Sequence, residues 1–225
     1  MPKFYLFGIC YMCVRLYTNL YGTLLPFYLM DVVHMGTDDN DSVSYNLALV
    51  PMLTYASSVL VSTQLNWFYG KFGRKKALFV GTAICLICLV GMVFMQEQSS
   101  WVMYILAILI GASQSLVLST GINLISDVVG AKAKTGAFVF GIYSLLDKFS
   151  SGIAIFLIGN ADSYSKPSNQ ITPDDVSFIR MSMVLVPGLA CLLSSLIVLS
   201  YPIEEYKKPK GPNNESLLTK SEFEE

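Results

Sequence analysis

The feature that constrains this chain most is the spacing of its apolar runs. Charged residues are gathered into short clusters, and six long apolar stretches lie between them. A helix crossing a hydrocarbon layer of roughly 30 Å needs about 20 apolar residues. The stretches fall at 4–30, 46–67, 77–95, 101–125, 136–159 and 180–201. They are too long for barrel strands and lack strict alternation. Only 14% of the 225 residues are charged, against roughly 25% in soluble domains. The expectation is an all-α membrane protein: a six-helix transmembrane unit over 1–201 and a flexible, polar tail over 202–225.

The loops predict orientation. Between the first two stretches lie Asp31, His34, Asp38, Asp39 and Asp41, with no Lys or Arg. The next loop carries Lys71, Arg74, Lys75 and Lys76, and basic and non-basic loops alternate from there to the Lys207, Lys208 and Lys210 of the tail. By the positive-inside rule both termini are cytosolic. Trp67 and Trp101 fall at expected interfaces, and Pro202 would help stop the last helix. The first stretch stays apolar past Arg15 without a small-residue cleavage site, so it reads as a span rather than a signal peptide. Asn40-Asp41-Ser42 is a glycosylation acceptor pattern in the first, lumenal loop, used or unused; the similar Asn214-Glu215-Ser216 would be cytosolic.

Ionisable groups within spans usually face a cavity or a partner. On the first helix Tyr11, Arg15, Asn19 and Gly22 share a face by i,i+4 and i,i+3 spacing, with Thr18 beside them. Thr54, Ser58 and Ser62 make a stripe on the second helix. Ser115, Ser119, Asn123 and Ser126, with Gln114, do so on the fourth, and Tyr143, Asp147 and Ser151 on the fifth. The third and sixth helices are mostly apolar. Four helices are therefore expected to line a wet path, with two packed outside them.

Asp147, near the middle of its helix, is the sharpest residue. Lys148 follows it but points about 100° away, which leaves Arg15 as the intramembrane cation available to it. Two readings stand. In one, Asp147 binds solute or a proton while Arg15, with Asn19, Tyr143 and Asn123 nearby, engages a carboxylate. In the other, Asp147 and a cation form a structural pair that orders helix packing.

Other chemistries find less support. The pairs Cys10/Cys13 and Cys85/Cys88 have zinc-ligand spacing, but thiolates in lipid would be costly, so no metal is expected. No cysteine lies in a lumenal loop, so no disulfide framework is expected either. The single histidine, His34, reads as a solvated loop residue. A net charge of −1 provides no field for nucleic acid. No P-loop, nucleophile-elbow, HExxH or dinucleotide pattern is present, so neither an enzyme nor a cofactor is expected.

The run Tyr69-Gly70-Lys71-Phe72-Gly73-Arg74-Lys75-Lys76 resembles the short loop signature of the major facilitator superfamily, with Gly70 standing where the signature has aspartate. That implies a cytosolic gate loop of Gly70, Lys71, Gly73, Arg74 and Lys75. The polarity pattern is similar to that of the superfamily's second half, helices seven to twelve. Residues 11–20 and 135–148 resemble the seventh and eleventh helices of its glycoside–pentoside–hexuronide cation symporter branch. The resemblance covers nearly the whole chain except the tail. It implies a secondary transporter moving a small polar solute with a coupled proton or cation. More finely, it implies cysteine import into lysosome-related organelles such as melanosomes, with a sugar–cation symporter or a non-transporting subunit as alternatives. The plasma membrane is the alternative location. Glu215-Ser216-Leu217-Leu218 resembles an acidic dileucine sorting signal, although Asn213 holds the usual acidic position. An amino-terminal half, or a second copy, would have to complete the cavity.

Overall fold

Long uninterrupted helices follow from the sequence because a backbone in hydrocarbon must satisfy its polar groups within its own segment. The computed structural model describes residues 2–35, 45–95, 100–129, 133–161 and 173–200. Six α-helices occupy them: α1 (Pro2–Phe27), α2 (Tyr45–Phe72), α3 (Arg74–Val93), α4 (Ser100–Val129), α5 (Ala133–Ala161) and α6 (Pro173–Leu199). There is no strand among the described residues. Helices α2 to α6 are long and apolar enough to cross a membrane. Helix α1, 26 residues and so about 39 Å long, has the length but carries Arg15 and Asn19 within its apolar run.

The helices overrun their apolar cores, and this changes two features expected from sequence. Gly73 alone separates α2 from α3. Its φ of +80° turns the chain sharply where only glycine is comfortable. Gly70 and Lys71 therefore belong to α2, and Arg74 and Lys75 to α3, rather than to an open loop. Lysine and arginine are good helix formers, so they extend a span into the polar interface as readily as they end it. Helix α6 begins at Pro173, seven residues before the apolar run at 180. Proline suits the first helical position, since its missing N–H would be unbonded there in any case.

Helix α1 ends differently. Pro26 removes the N–H that would reach Gly22, and a five-residue π-helical segment, Tyr28–Val32, follows. The Tyr28 hydroxyl ties this segment to α3 by donating to the Met92 carbonyl at 2.7 Å.

Helices α1 and α4 stand in the middle, with α3 and α6 packed behind them, α2 against α4, and α5 chiefly against α1. Close approach at α2–α4 depends on Gly111, where a Cβ would run into the Thr54 carbonyl. Ser57 spans the same crossing, donating to the Ile108 carbonyl at 2.7 Å. The apolar core runs from α1 through α3, α4 and α6. Within their most apolar windows α4 is 56% buried but α2 and α5 only 17%. The outward faces of those two carry Met52, Leu60, Phe149 and Phe156, all exposed and suited to lipid or another helix.

Candidate functional site

The polar stripes of α1 and α5 meet in register. Both repeat every four residues, about one turn, and they run parallel. Tyr11 faces Tyr143, with ring centroids 6.2 Å apart. One turn on, the Arg15 Nε donates to Asp147 Oδ2 at 3.1 Å. One turn further, the Asn19 amide donates to Asp147 Oδ1 at 2.7 Å and to Ser151 Oγ at 3.0 Å. Tyr143 itself is buried over Gly8, where a Cβ would press into its ring.

Asp147 is only 1% exposed, whereas the Arg15 side chain is 26% exposed. Each carboxylate oxygen thus has a donor, and the negative charge is met by a cation. The guanidinium is engaged through Nε alone. Its terminal N–H groups have no protein partner among the described residues. A guanidinium offers five donors in a planar fork that matches a carboxylate, so four remain for an incoming anion. Lys148 lies exposed on α5, away from the pair, as helical geometry requires.

Of the residues singled out from sequence, Arg15, Asn19, Asp147 and Tyr143 come together. Asn123 does not join them: it is half-buried on α4 and lies beside the Tyr69 hydroxyl on the α2 side. There Tyr69 donates to Thr120 at 3.0 Å, since Thr120 spends its own proton on the Leu116 carbonyl. Ser151 and Tyr11 belong to the site although only their spacing pointed to them. At the α2–α3 turn, Lys71 Nζ sits 5.2 Å from the Trp67 ring centroid and 5.6 Å from that of Phe72. A Cβ at Gly70 would meet nothing within 4 Å.

Helices α3 and α6 are less bare than their composition implies. Thr82 and Ser195 share a hydrogen bond of 2.6 Å, and the Cys191 thiol reaches Thr82 at 3.6 Å. Cys10 donates to the Ser194 carbonyl at 3.7 Å. These cysteines are buried packing groups within the slab. The acceptor at Asn40, the tail and the Leu217-Leu218 signal lie outside the described residues.

A buried acid and a partly exposed arginine between parallel helices of an apolar bundle define a membrane protein with a polar site inside a six-helix unit. Residues 1–205 match the family model for MFS/sugar transport protein, and the chain belongs to that family. It is similar to human major facilitator superfamily domain-containing protein 12, 30% identical over 199 residues, covering 88% of this chain and 39% of the relative. The horse protein of that name is 27% identical over 205 residues, covering 90% of this chain and 41% of the relative. Mouse sodium-dependent lysophosphatidylcholine symporter 1 is 25% identical over 173 residues, covering 72% and 32%. The chain thus spans about two-fifths of the length of the first two relatives and a third of the last.

Proposed function

We propose that this chain is the carboxy-terminal half of a secondary transporter, in which Arg15 receives the carboxylate of a small polar solute while Asp147 and Asn19 hold the arginine in place. The observation that carries this reading is the one-pronged ion pair: a fully buried acid fixes Nε and leaves the rest of the fork free on a partly open side chain. A purely structural arginine would be expected to bond with both ends of its fork. Solute and Asp147 then share one cation, which couples binding to the hold of α1 on α5. Such coupling is what alternating access between two halves requires.

The finer reading is cysteine import from the cytosol into lysosome-related organelles, supported by the resemblance of 11–20 and 135–148 to the family's seventh and eleventh helices. The relative named as a sodium-dependent symporter supports coupling to a cation. A sugar substrate is the second reading, favoured by the description of the matching family. A non-transporting membrane subunit is a third: the little-buried faces of α2 and α5 fit a partner protein as well as a second half.

The test is uptake of labelled cysteine by the native full-length polypeptide that carries this chain, with sugars as competitors. Asp147→Asn is expected to abolish uptake, by about a hundredfold or more, while leaving membrane insertion intact. Uptake at the wild-type rate would remove Asp147 from the mechanism. Inhibition by sugars but not by amino acids would favour the second reading.

A further inference from the structure

One turn along α1 from Asn19 the wall of the bundle opens. A crevice with internal room of about 30 Å³, enough for one small group, lies between α1, α2 and α4. Thr18, Tyr21 and Gly22 of α1, Thr54 and Tyr55 of α2, and Gln114 of α4 supply its polar groups. No charged side chain lines it.

Two of these residues have unspent hydrogen-bonding capacity. Tyr21 is 1% exposed, and its hydroxyl, beside Thr54, makes no hydrogen bond of good geometry. Gln114 is 4% exposed and makes no protein hydrogen bond among the described residues. Buried polar groups in native structures almost always find partners, so a crevice with two such groups on its walls is built for something that enters it.

The remaining groups say what kind of thing. Thr18 spends its proton on the Val14 carbonyl at 3.0 Å, and Thr54 on the Val50 carbonyl at 3.1 Å. Both therefore face the crevice as acceptors only. Gly22 has a carbonyl deprived of its usual helical donor, because Pro26 has no N–H. The lining thus sets the acceptors of Thr18, Thr54 and Gly22 beside the donors of Tyr21, Tyr55 and Gln114. An ammonium group or metal ion would enter without a counter-charge, at a high desolvation cost. A neutral donor carries no such penalty.

We propose that the crevice is a second subsite, which takes a neutral hydrogen-bonding group able to donate and accept (hydroxyl, thiol or amide) of the same solute whose carboxylate Arg15 receives. The inference rests on the reading of Arg15 given above. Arg15 and Thr18, which lines the crevice, are three residues apart on one helix, a separation of about 5–6 Å between side-chain positions. That distance suits a compact amino acid or hydroxy acid with its donor a few bonds from the carboxylate. A long acyl chain would bring no donor to the crevice.

The test compares pairs of labelled probes that differ in a single donor: L-serine with L-alanine, and L-cysteine with L-2-aminobutyrate. Uptake by the full-length protein is measured for the wild type, Thr54→Val and Gln114→Leu. The readout is the ratio of KM values within each pair, which a general loss of folded protein or of flux does not move. In the wild type the donor-bearing member is expected to have a KM about fivefold lower, the effect of one neutral hydrogen bond. In both variants the ratio is expected to fall to within about twofold of unity. A ratio that survives both substitutions, or that is absent in the wild type, overturns the subsite while leaving the role of Arg15 standing. A sodium requirement abolished by Thr54→Val would make the crevice a cation site and overturn it equally. Failure of the wild type to take up any of the four probes overturns the reading of Arg15 and the subsite with it.

Discussion

The two sides of α1 are built on opposite principles. Toward α3, α4 and α6 it meets a closed slab in which neutral hydroxyls bond to hydroxyls and carbonyls. The Tyr17 hydroxyl donates to Ser113 at 3.3 Å, and Ser113 donates on to the Gly81 carbonyl at 2.8 Å. Toward α5 it meets a thin seam held by one ion pair and the hydrogen bonds of Asn19, and α5 itself is largely unburied. Most hydroxyls in the slab bond to neutral neighbours, with the Ser115 hydroxyl left over. The seam has charge, spare donors and little packing. Elements that move in a transport cycle are drawn from the less packed parts of a structure, so the difference marks α3, α4 and α6 as the frame against which α5 can shift.

That contrast is tested hardest by removing the cation from the seam. Arg15→Met leaves Asp147 buried and unpaired, and breaking a buried pair from one side costs roughly 3–5 kcal/mol. Thermal unfolding in detergent should show a large loss. Replacing both charges, Arg15→Met with Asp147→Leu, should recover most of it, because apolar groups of similar volume substitute well for a buried pair. Uptake should stay abolished in the double variant. If uptake returned together with stability, the pair would be a packing device and the seam no different in kind from the slab.

Next in size is Gly111→Val at the α2–α4 crossing. The added side chain meets the Thr54 backbone, which cannot swing aside as a side-chain tip could. Overpacking of this kind costs about 1–3 kcal/mol, and the same measurement reads it. Unaltered stability would show that α2 is held as loosely as α5 and can shift against the same frame.

How much of this could be read from the chain differs between the two regions. The seam was legible residue by residue. Tyr11, Arg15 and Asn19 repeat at i,i+4, as do Tyr143, Asp147 and Ser151, and charges are so scarce within the spans that Arg15 was the natural partner for Asp147. The slab was not. Thr82, Ser195 and Cys191 are small residues dispersed over two helices that read as apolar, and nothing local says that they touch. Asn123 shows the same limit from the other side: its stripe on α4 is real, but the face it occupies turns toward Tyr69 rather than Arg15. Helix ends were obscured because Lys71, Arg74, Lys75, Lys76, Asp174 and Asp175 are charged yet helical, and apolar runs report the hydrocarbon layer rather than the helix. The crevice draws on three helices at once and exists only in their packing.

The smallest expected effect tests the slab's neutrality. Thr82→Val keeps the shape of the side chain and deletes the hydroxyl that Ser195 and Cys191 share. Hydrogen bonds between membrane helices average only about 0.6 kcal/mol in double-mutant cycles, because freed groups find other partners. Ser195 has one within reach. Its hydroxyl can turn back to a carbonyl of its own helix, as Ser194 does to Cys191 at 2.7 Å. The unfolding midpoint should therefore move slightly, and uptake should not change, since Thr82 lies behind α1 and away from both Arg15 and the crevice. A tenfold loss of uptake at unchanged stability would mean that the frame itself rearranges during transport. In that case the division between a fixed slab and a moving seam would have to be abandoned.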